Sequence, residues 1–303
     1  MEVGKVSIVI PTYNHGRFVV AAVESALAQS YASTEVLVVD DGSTDNTRDV
    51  LAAFAGRISY VYQENRGLSA ARNTGIRTAQ GEFIALLDAD DMWVPEKLHV
   101  QMRVFADYPD TGLVSCGSDF IDDQGQEVSL DSSRGFDRFR FRRLLQGNCV
   151  SGGSNAVVKR LCFDAVGLFD ERLRSSEDWD MWLRIAKRYP VRCAPQMLTK
   201  VRVSTNSMSA EKNADTMLVN ELRVLDKLFS DQTTNVNVYD RGMAYAHRYV
   251  AAAWAYHKVG NWSDARVYIG KAFLANPVHF MLRKGFFGLA LRIVMGRRVK
   301  REM

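Results

Sequence analysis

Val6-Ser7-Ile8-Val9-Ile10-Pro11-Thr12-Tyr13-Asn14 places a short, strongly apolar run directly before a polar turn. A run of this length suits a buried strand. A helical pattern follows from about Phe18 to Ala28, and the same unit then repeats. Glu35–Val39 reads as a second strand ending at Asp40-Asp41-Gly42-Ser43, followed by a helix through Phe54. Strand Ile58–Tyr62 leads to a helix over Leu68–Ala79. Glu82–Leu87 is a fourth strand, ending at Asp88-Ala89-Asp90-Asp91, and Pro95 marks the first turn of a further helix. This alternation predicts an α/β fold: a mostly parallel central sheet flanked by helices on both faces.

The polar residues gain meaning from their position. Tyr13-Asn14, Asp40-Asp41 and Asp88–Asp91 each follow the carboxyl end of a strand. Open parallel sheets bind ligands outside those ends. Three separate segments therefore direct polar groups at one edge.

Composition sets the outer bounds. The 303 residues are 47% apolar and 24% charged, which excludes a disordered or fibrous chain. A net charge of +4 is too modest by itself to imply a nucleic-acid partner, and none is expected. The charge is uneven, because residues 283–303 hold seven basic residues and one acid. Cys116, Cys149, Cys162 and Cys193 are too scattered for a zinc site or a disulfide framework, so free thiols in a reducing cytosol are expected. The first apolar run is too short for a secretory signal, and Gly285–Gly296 is short and broken by Arg292, so no span is expected. These features predict a cytoplasmic protein, soluble or peripheral on the inner face of the membrane.

Downstream the pattern weakens. Residues 110–203 show short strands, a glycine turn at Gly152-Gly153 and one clear helix, Glu177–Arg188. From about Asn213 the chain reads as all helical, giving expected domains of 1–212 and 213–303. Gly260, Ala265, Ile269, Ala272 and Pro277 resemble one tetratricopeptide repeat. Arrays need about three repeats, so a packed helical hairpin is expected. In the tail, Phe286, Phe287, Leu289, Ala290, Ile293 and Val294 interleave with Arg283, Lys284, Arg292, Arg297 and Arg298. That pattern fits a basic amphipathic helix, either lying on an anionic membrane surface or packed on the helical subdomain.

Four clusters carry the chemistry. Asp88, Asp90 and Asp91 crowd three carboxylates into four residues, which suits a divalent cation held by oxygen ligands together with substrate phosphates. In Asp40–Thr47, Gly42 permits a tight turn, Asp45 reads as a helix cap, and Asp41 is placed to accept from a base N–H. In Glu64–Gly75, Arg72 either faces a phosphate or pairs with Asp88. In Ser175–Arg184, Glu177 and Asp178 are either helix caps or a general base entering the cleft.

Taken together, Val6–Asn14, Val39–Thr47, Asn65–Asn73, Leu87–Asp91 and Glu177-Asp178 resemble the family-2 glycosyltransferases of the GT-A (Rossmann-like) fold, over about residues 5–210. The resemblance implies transfer of one sugar from a nucleotide diphosphate donor, UDP by family habit, to an acceptor hydroxyl with inversion. Carried over by position, Pro11, Thr12 and Tyr13 lie along the base, Asp41 binds its N–H, and Arg72 and Asp88 line the donor pocket. Asp90 of the DxD grips Mn2+ or Mg2+, Asp178 is the catalytic base, and Glu177, Asp91 and Asn73 support them. The partners implied are a nucleotide-sugar and a carbohydrate or lipid-linked acceptor, in cell-surface polysaccharide or glycolipid synthesis. The chain lacks the Q-x-x-R-W motif of processive synthases, which favours single hexosyl or N-acetylhexosaminyl transfer. Ser204 stands where many relatives carry a histidine. Two alternatives are a catalytically silent sugar-nucleotide-binding module and a helical interaction protein.

Overall fold

The computed structural model describes residues 2–128, 141–150, 152–203 and 214–294. Ser204 and residues 295–303 of the basic tail lie outside these. The chain forms two compact units, Met1–Phe141 with Asn148–Thr205, and Arg142–Gly147 with Asn206–Met303.

The first unit begins as the alternation predicts: β1 (Glu2–Thr12), α1 (Val19–Leu27), β2 (Thr34–Asp40), α2 (Thr47–Leu51), β3 (Ser59–Tyr62), α3 (Leu68–Thr78) and β4 (Gly81–Leu86). A two-residue β5 (Met92–Trp93) precedes α4 (Lys97–Asp107), β6 (Leu113–Ile121) and β7 (Glu127–Val128), and the α5 that follows (Phe141–Leu144) belongs from Arg142 onward to the second unit. Then come β8 (Val157–Lys159), α6 (Arg160–Val166), α7 (Glu177–Ala186) and β9 (Val191–Arg202). One sheet runs β3-β2-β1-β4-β8-β6-β9-β5, with β7 beside β6. Its first four strands are parallel. Beyond β4 the sheet is mixed, since β8 is antiparallel to both β4 and β6 while β6 and β9 run parallel. The expected mostly parallel sheet thus holds for one half.

Alternation along β1 explains why helices cover both faces. Val6, Ile8 and Ile10 enter a core with Val19, Val23 and Ala26 of α1 and Leu98 and Phe105 of α4. Val9 faces the other way, against α3. A Cβ on Gly75 would sit 2.2 Å from Val9 Cγ1, so only glycine lets the helix approach so closely. Pro95 falls in the turn before α4 rather than in its first turn, and its carbonyl accepts from Ser30 N at 2.8 Å.

The second unit contains α8 (Ala214–Ser230), α9 (Val238–Lys258), α10 (Trp262–Ala275), α11 (Pro277–Leu282) and α12 (Lys284–Val294). Ala265, Ile269 and Ala272 of α10 pack with Ala253 of α9, Phe280, and Leu289 and Ile293 of α12. Asn237, Asn261 and Asn276 cap α9, α10 and α11 through their side-chain oxygens. All four cysteines are free thiols. Among the described residues no helix is long and apolar enough to cross a membrane.

Candidate active site

Parallel pairing fixes the edge at which the polar segments emerge. Thr12 lies opposite Asp40, and Leu87 N donates to Val9 O at 3.0 Å, so the ends of β2, β1 and β4 are neighbours. Pro11 and Thr12 are buried, whereas Tyr13 presents an exposed ring. Asn14 adopts a left-handed conformation (φ 54°), and its Oδ1 accepts from Thr44 N at 2.8 Å, locking the two turns together. Thr12 Oγ1 is buried without a hydrogen-bond partner.

Asp41 is 3% exposed and saturated with donors. Its carboxylate accepts from Gln63 Nε2 at 2.6 Å, Arg66 N at 3.0 Å and Gly67 N at 2.7 Å. It therefore shapes the loop that leads into α3. Asp45 accepts from Gly16 N and from Thr47 at the start of α2, the structural role expected of it. Asn73 is likewise spent inside the protein. Its side chain accepts from Phe169 N and donates to Phe169 O and Glu171 Oε1.

Arg72 projects from α3 and is 2% exposed. One nitrogen reaches Asp88 Oδ1 at 2.7 Å and the other Glu177 Oε1 at 2.6 Å. Its ring neighbour is Phe169, 5.5 Å away. A Cβ on Gly153 would lie 2.9 Å from Arg72 Nη2, so a side chain there would push the guanidinium away from its carboxylates. Losing one partner of such a buried pair typically costs about 3–5 kcal/mol, because the other charge stays in a low dielectric.

The Asp88–Asp91 turn is held from outside itself. Ser154 Oγ donates to Asp91 Oδ2 at 2.6 Å and accepts from Asp88 N at 3.0 Å. Arg202 N donates to Asp91 Oδ1 at 2.9 Å, and Arg202 Nε to the Asp90 carbonyl at 2.9 Å. Asp91 is thus internally satisfied. Burial and the two neighbouring carboxylates still push its carboxyl well up. Asp90 is half-buried and raised by burial and by Asp88, with His15 offsetting part of the effect. No hydrogen bond between its carboxylate and another residue is seen among the described residues.

At the far side of Arg72, Ser176 takes a left-handed conformation (φ 61°) and starts α7. Asp178 Oδ1 accepts from Trp179 N and Oδ2 from Asn148 Nδ2, both at 2.7 Å. Burial, followed by the adjacent Glu177, pushes its carboxyl up to about 7, against the lowering effects of Arg72 and these two donors. That value suits a group that must take and release a proton near neutrality. Arg72 accordingly joins the DxD turn to the start of α7, with Asp41 at the other end of the α3 loop.

Among the described residues no cluster of three or more His, Cys, Asp or Glu forms a preset metal cage. The donor set does fit a hard divalent cation that completes its shell with substrate phosphates: two mutually repelling carboxylates, Asp88 and Asp90, the second short of protein donors. Sequence reasoning passed over His15, Asn148, Ser154 and Arg202. Only Arg202 had a signal, its place at the head of the segment containing Ser204.

Comparison with known proteins follows the same lines. The profile of glycosyl transferase family 2 matches residues 7–167. An uncharacterized glycosyltransferase of Rickettsia typhi is 32% identical over 203 residues, covering 65% of this chain and 64% of that protein. The UDP-Glc:alpha-D-GlcNAc-diphosphoundecaprenol beta-1,3-glucosyltransferase WfgD of Escherichia coli is 32% identical over 216 residues, covering 68% of this chain and 80% of that one. The mannosyltransferase PcManGT of Pyrobaculum calidifontis, solved in complex with GDP-Man and Mn2+, superposes with a TM-score of 0.64 at 21% identity over 96% of this chain and 84% of its own. S. aureus TarS 1–349 in complex with UDP-GlcNAc gives 0.61 at 16% identity, covering 98% and 93%. These two solved structures share the fold.

Proposed function

The chain belongs to glycosyl transferase family 2 and is a glycosyltransferase, and on that premise we propose that it makes a single, inverting transfer from a UDP-sugar to an acceptor hydroxyl in cell-surface polysaccharide or glycolipid synthesis. The observation that carries this reading is Asp178, a carboxylate raised to about 7 and aimed by Asn148, one arginine away from the DxD turn.

In this reading the base lies against Tyr13, and the loop shaped by Asp41 recognises its edge. Asp88 and Asp90 would hold Mn2+ or Mg2+, which when bound neutralises the departing diphosphate. Arg72 keeps Asp88 and Glu177 at fixed separation. Asp178, ionised, takes the acceptor proton at its Oδ atom as the hydroxyl oxygen attacks the face of the sugar opposite the leaving group. Glu177 remains paired with Arg72, so its neighbour alone is free to change charge.

A membrane role for residues 283–303 in a cytoplasmic, peripheral protein is part of the proposal. Leu289 and Ile293 are buried in the helical unit, while Phe287, Leu291 and Val294 at helical spacing are exposed beside Arg292. The seam that packs inward and the seam left outward thus divide the tail's apolar residues between them. Replacing Phe287 and Leu291 by Ser in the full chain should lower co-sedimentation with anionic vesicles, and unchanged partitioning would remove this element.

The decisive assay is transfer from a panel of nucleotide-sugars with and without Mn2+. The reading expects cation-dependent turnover with a UDP-sugar, abolished in Asp178→Asn and made metal-insensitive and weak in Asp90→Asn. Donor binding without transfer to any acceptor, unchanged by either variant, would instead favour the silent binding module.

A further inference from the structure

Four arginines of the helical unit surround a pair of histidines. His247 Nε2 on α9 lies 3.1 Å from His279 Nε2 on α11, and the Tyr239 hydroxyl is 3.3 Å from His279 Nδ1. The Phe286 ring meets both imidazoles, with centroids 4.8 and 5.7 Å away. The groups acting on His247 are Arg248, His279, Arg283 and Arg143; those acting on His279 are Arg283, Arg142 and Asp240. Burial first, then these cations, hold both rings below the ordinary histidine range, His247 at about 3. Both are neutral at pH 7.

The four guanidinium groups are not equally engaged. Arg142 Nε pairs with Asp240 at 2.6 Å, and Arg248 pairs with Glu221 at 2.6 Å while donating to the Gln146 carbonyl. Arg283 is exposed, and among the described residues its side chain reaches a neutral amide oxygen, Gln146 Oε1 at 2.9 Å, and no carboxylate. Arg143 is exposed, and among the described residues its side chain has no partner. Positive charge is therefore concentrated on one face, beside neutral imidazoles, with fewer carboxylates than cations to answer it.

We propose that the face formed by Arg143 and Arg283 around the His247–His279 pair is a binding site for a phosphate-bearing group. Two guanidinium forks with no carboxylate partner among the described residues match phosphate oxygens in shape and charge. A dianion arriving there relieves the repulsion among the arginines and makes protonation of the imidazole pair easier, so the rings serve as built-in reporters. Met281 and Leu282 directly precede Arg283 and are 55% and 75% exposed, so a lipid phosphate is one source of the ligand and a soluble phosphate ester the other. The site lies wholly within the helical unit, so its fate is separate from that of the Asp178 assignment.

Inorganic pyrophosphate is the probe, titrated into the full chain in the absence of divalent cations while histidine ring resonances are followed by NMR. Saturable shifts of His247 and His279, with their ring titrations moved to higher pH and with His99 unmoved, are expected. Arg143→Ser with Arg283→Ser should weaken the effect about tenfold or more. Unchanged thermal unfolding and an unchanged far-ultraviolet circular dichroism spectrum would show that this variant is folded. Capture by phosphatidylglycerol but not phosphatidylcholine vesicles, lost in Arg143→Ser alone with residues 283–303 intact, assigns the lipid source; pyrophosphate shifts that no vesicle capture sensitive to Arg143→Ser accompanies assign the soluble one. No shift at the two rings, or shifts indifferent to both substitutions, overturns the proposal.

Discussion

Two turns, Asp40–Ser43 after β2 and Asp88–Asp91 after β4, look alike as sequence: acids crowded at the end of a parallel strand. Their electrostatics differ. In the first, Asp40 accepts from the Tyr60 hydroxyl and Ser43 N, and Asp41 from three further donors. In the second, Asp91 is satisfied, Asp88 shares an arginine, and Asp90 sits against a like charge with burial raising it. A carboxylate saturated with N–H donors organises the backbone, whereas one short of donors leaves its oxygens open to a ligand. Asp178 accepts from two donors, and burial with the adjacent Glu177 still raises it, so it stands apart from Asp41 by its raised carboxyl and not by missing donors.

The contrast is most exposed to failure at Asp178. Asp178→Asn should lower transfer by about 10²–10⁴-fold with donor affinity by calorimetry unchanged. Because the folded carboxyl titrates near 7, above its unfolded value, the stability linked to its protonation is present at low pH and lost as pH rises through 7. The variant should therefore unfold no sooner than the parent at pH 8. Next in size is Arg72→Met, which strands Asp88 and Glu177; urea denaturation should register a loss of about 3–5 kcal/mol. Asp41→Asn turns one acceptor oxygen into an N–H facing N–H groups. The same measurement should show about 1–3 kcal/mol, a structural cost that Asp90→Asn lacks. If Asp90→Asn destabilises as much as Asp41→Asn, the division between the two turns fails.

The smallest effect is a displaced pH profile. In the proposed mechanism transfer needs ionised Asp178, so turnover should fall as pH drops through about 7. Asn148 favours the ionised form, and Asn148→Ala should move that fall up by about one unit. A profile that stays in place while the rate drops would make Asn148 merely a packing residue.

The first half of the sheet was legible because its strands are runs of Val, Ile and Leu between turn signals, as in Val6–Ile10 and Val36–Val39. The second half was not. β6 carries Ser115, Ser118 and Asp119, and β9 carries Gln196, Thr199 and Lys200, so neither shows a clean period. Their pairing joins Leu113 to Val191 and Ile121 to Arg202, contacts that no local pattern announces. The acids of the site stood out by residue type and position. Asn148 and Ser154 did not, since an ordinary polar residue in a loop acquires its role only from what the fold brings beside it.

Arg72 leaves one consequence for how the protein can change. Its two terminal nitrogens are separated by the covalent width of a guanidinium group, and one grips the Asp88 turn while the other grips the first residue of α7. The spacing between the DxD turn and the helix bearing Asp178 is therefore set by a rigid chemical ruler and not by elastic packing. In the proposed mechanism, accommodating a larger or smaller sugar then falls to residues that border the cleft without touching this ruler.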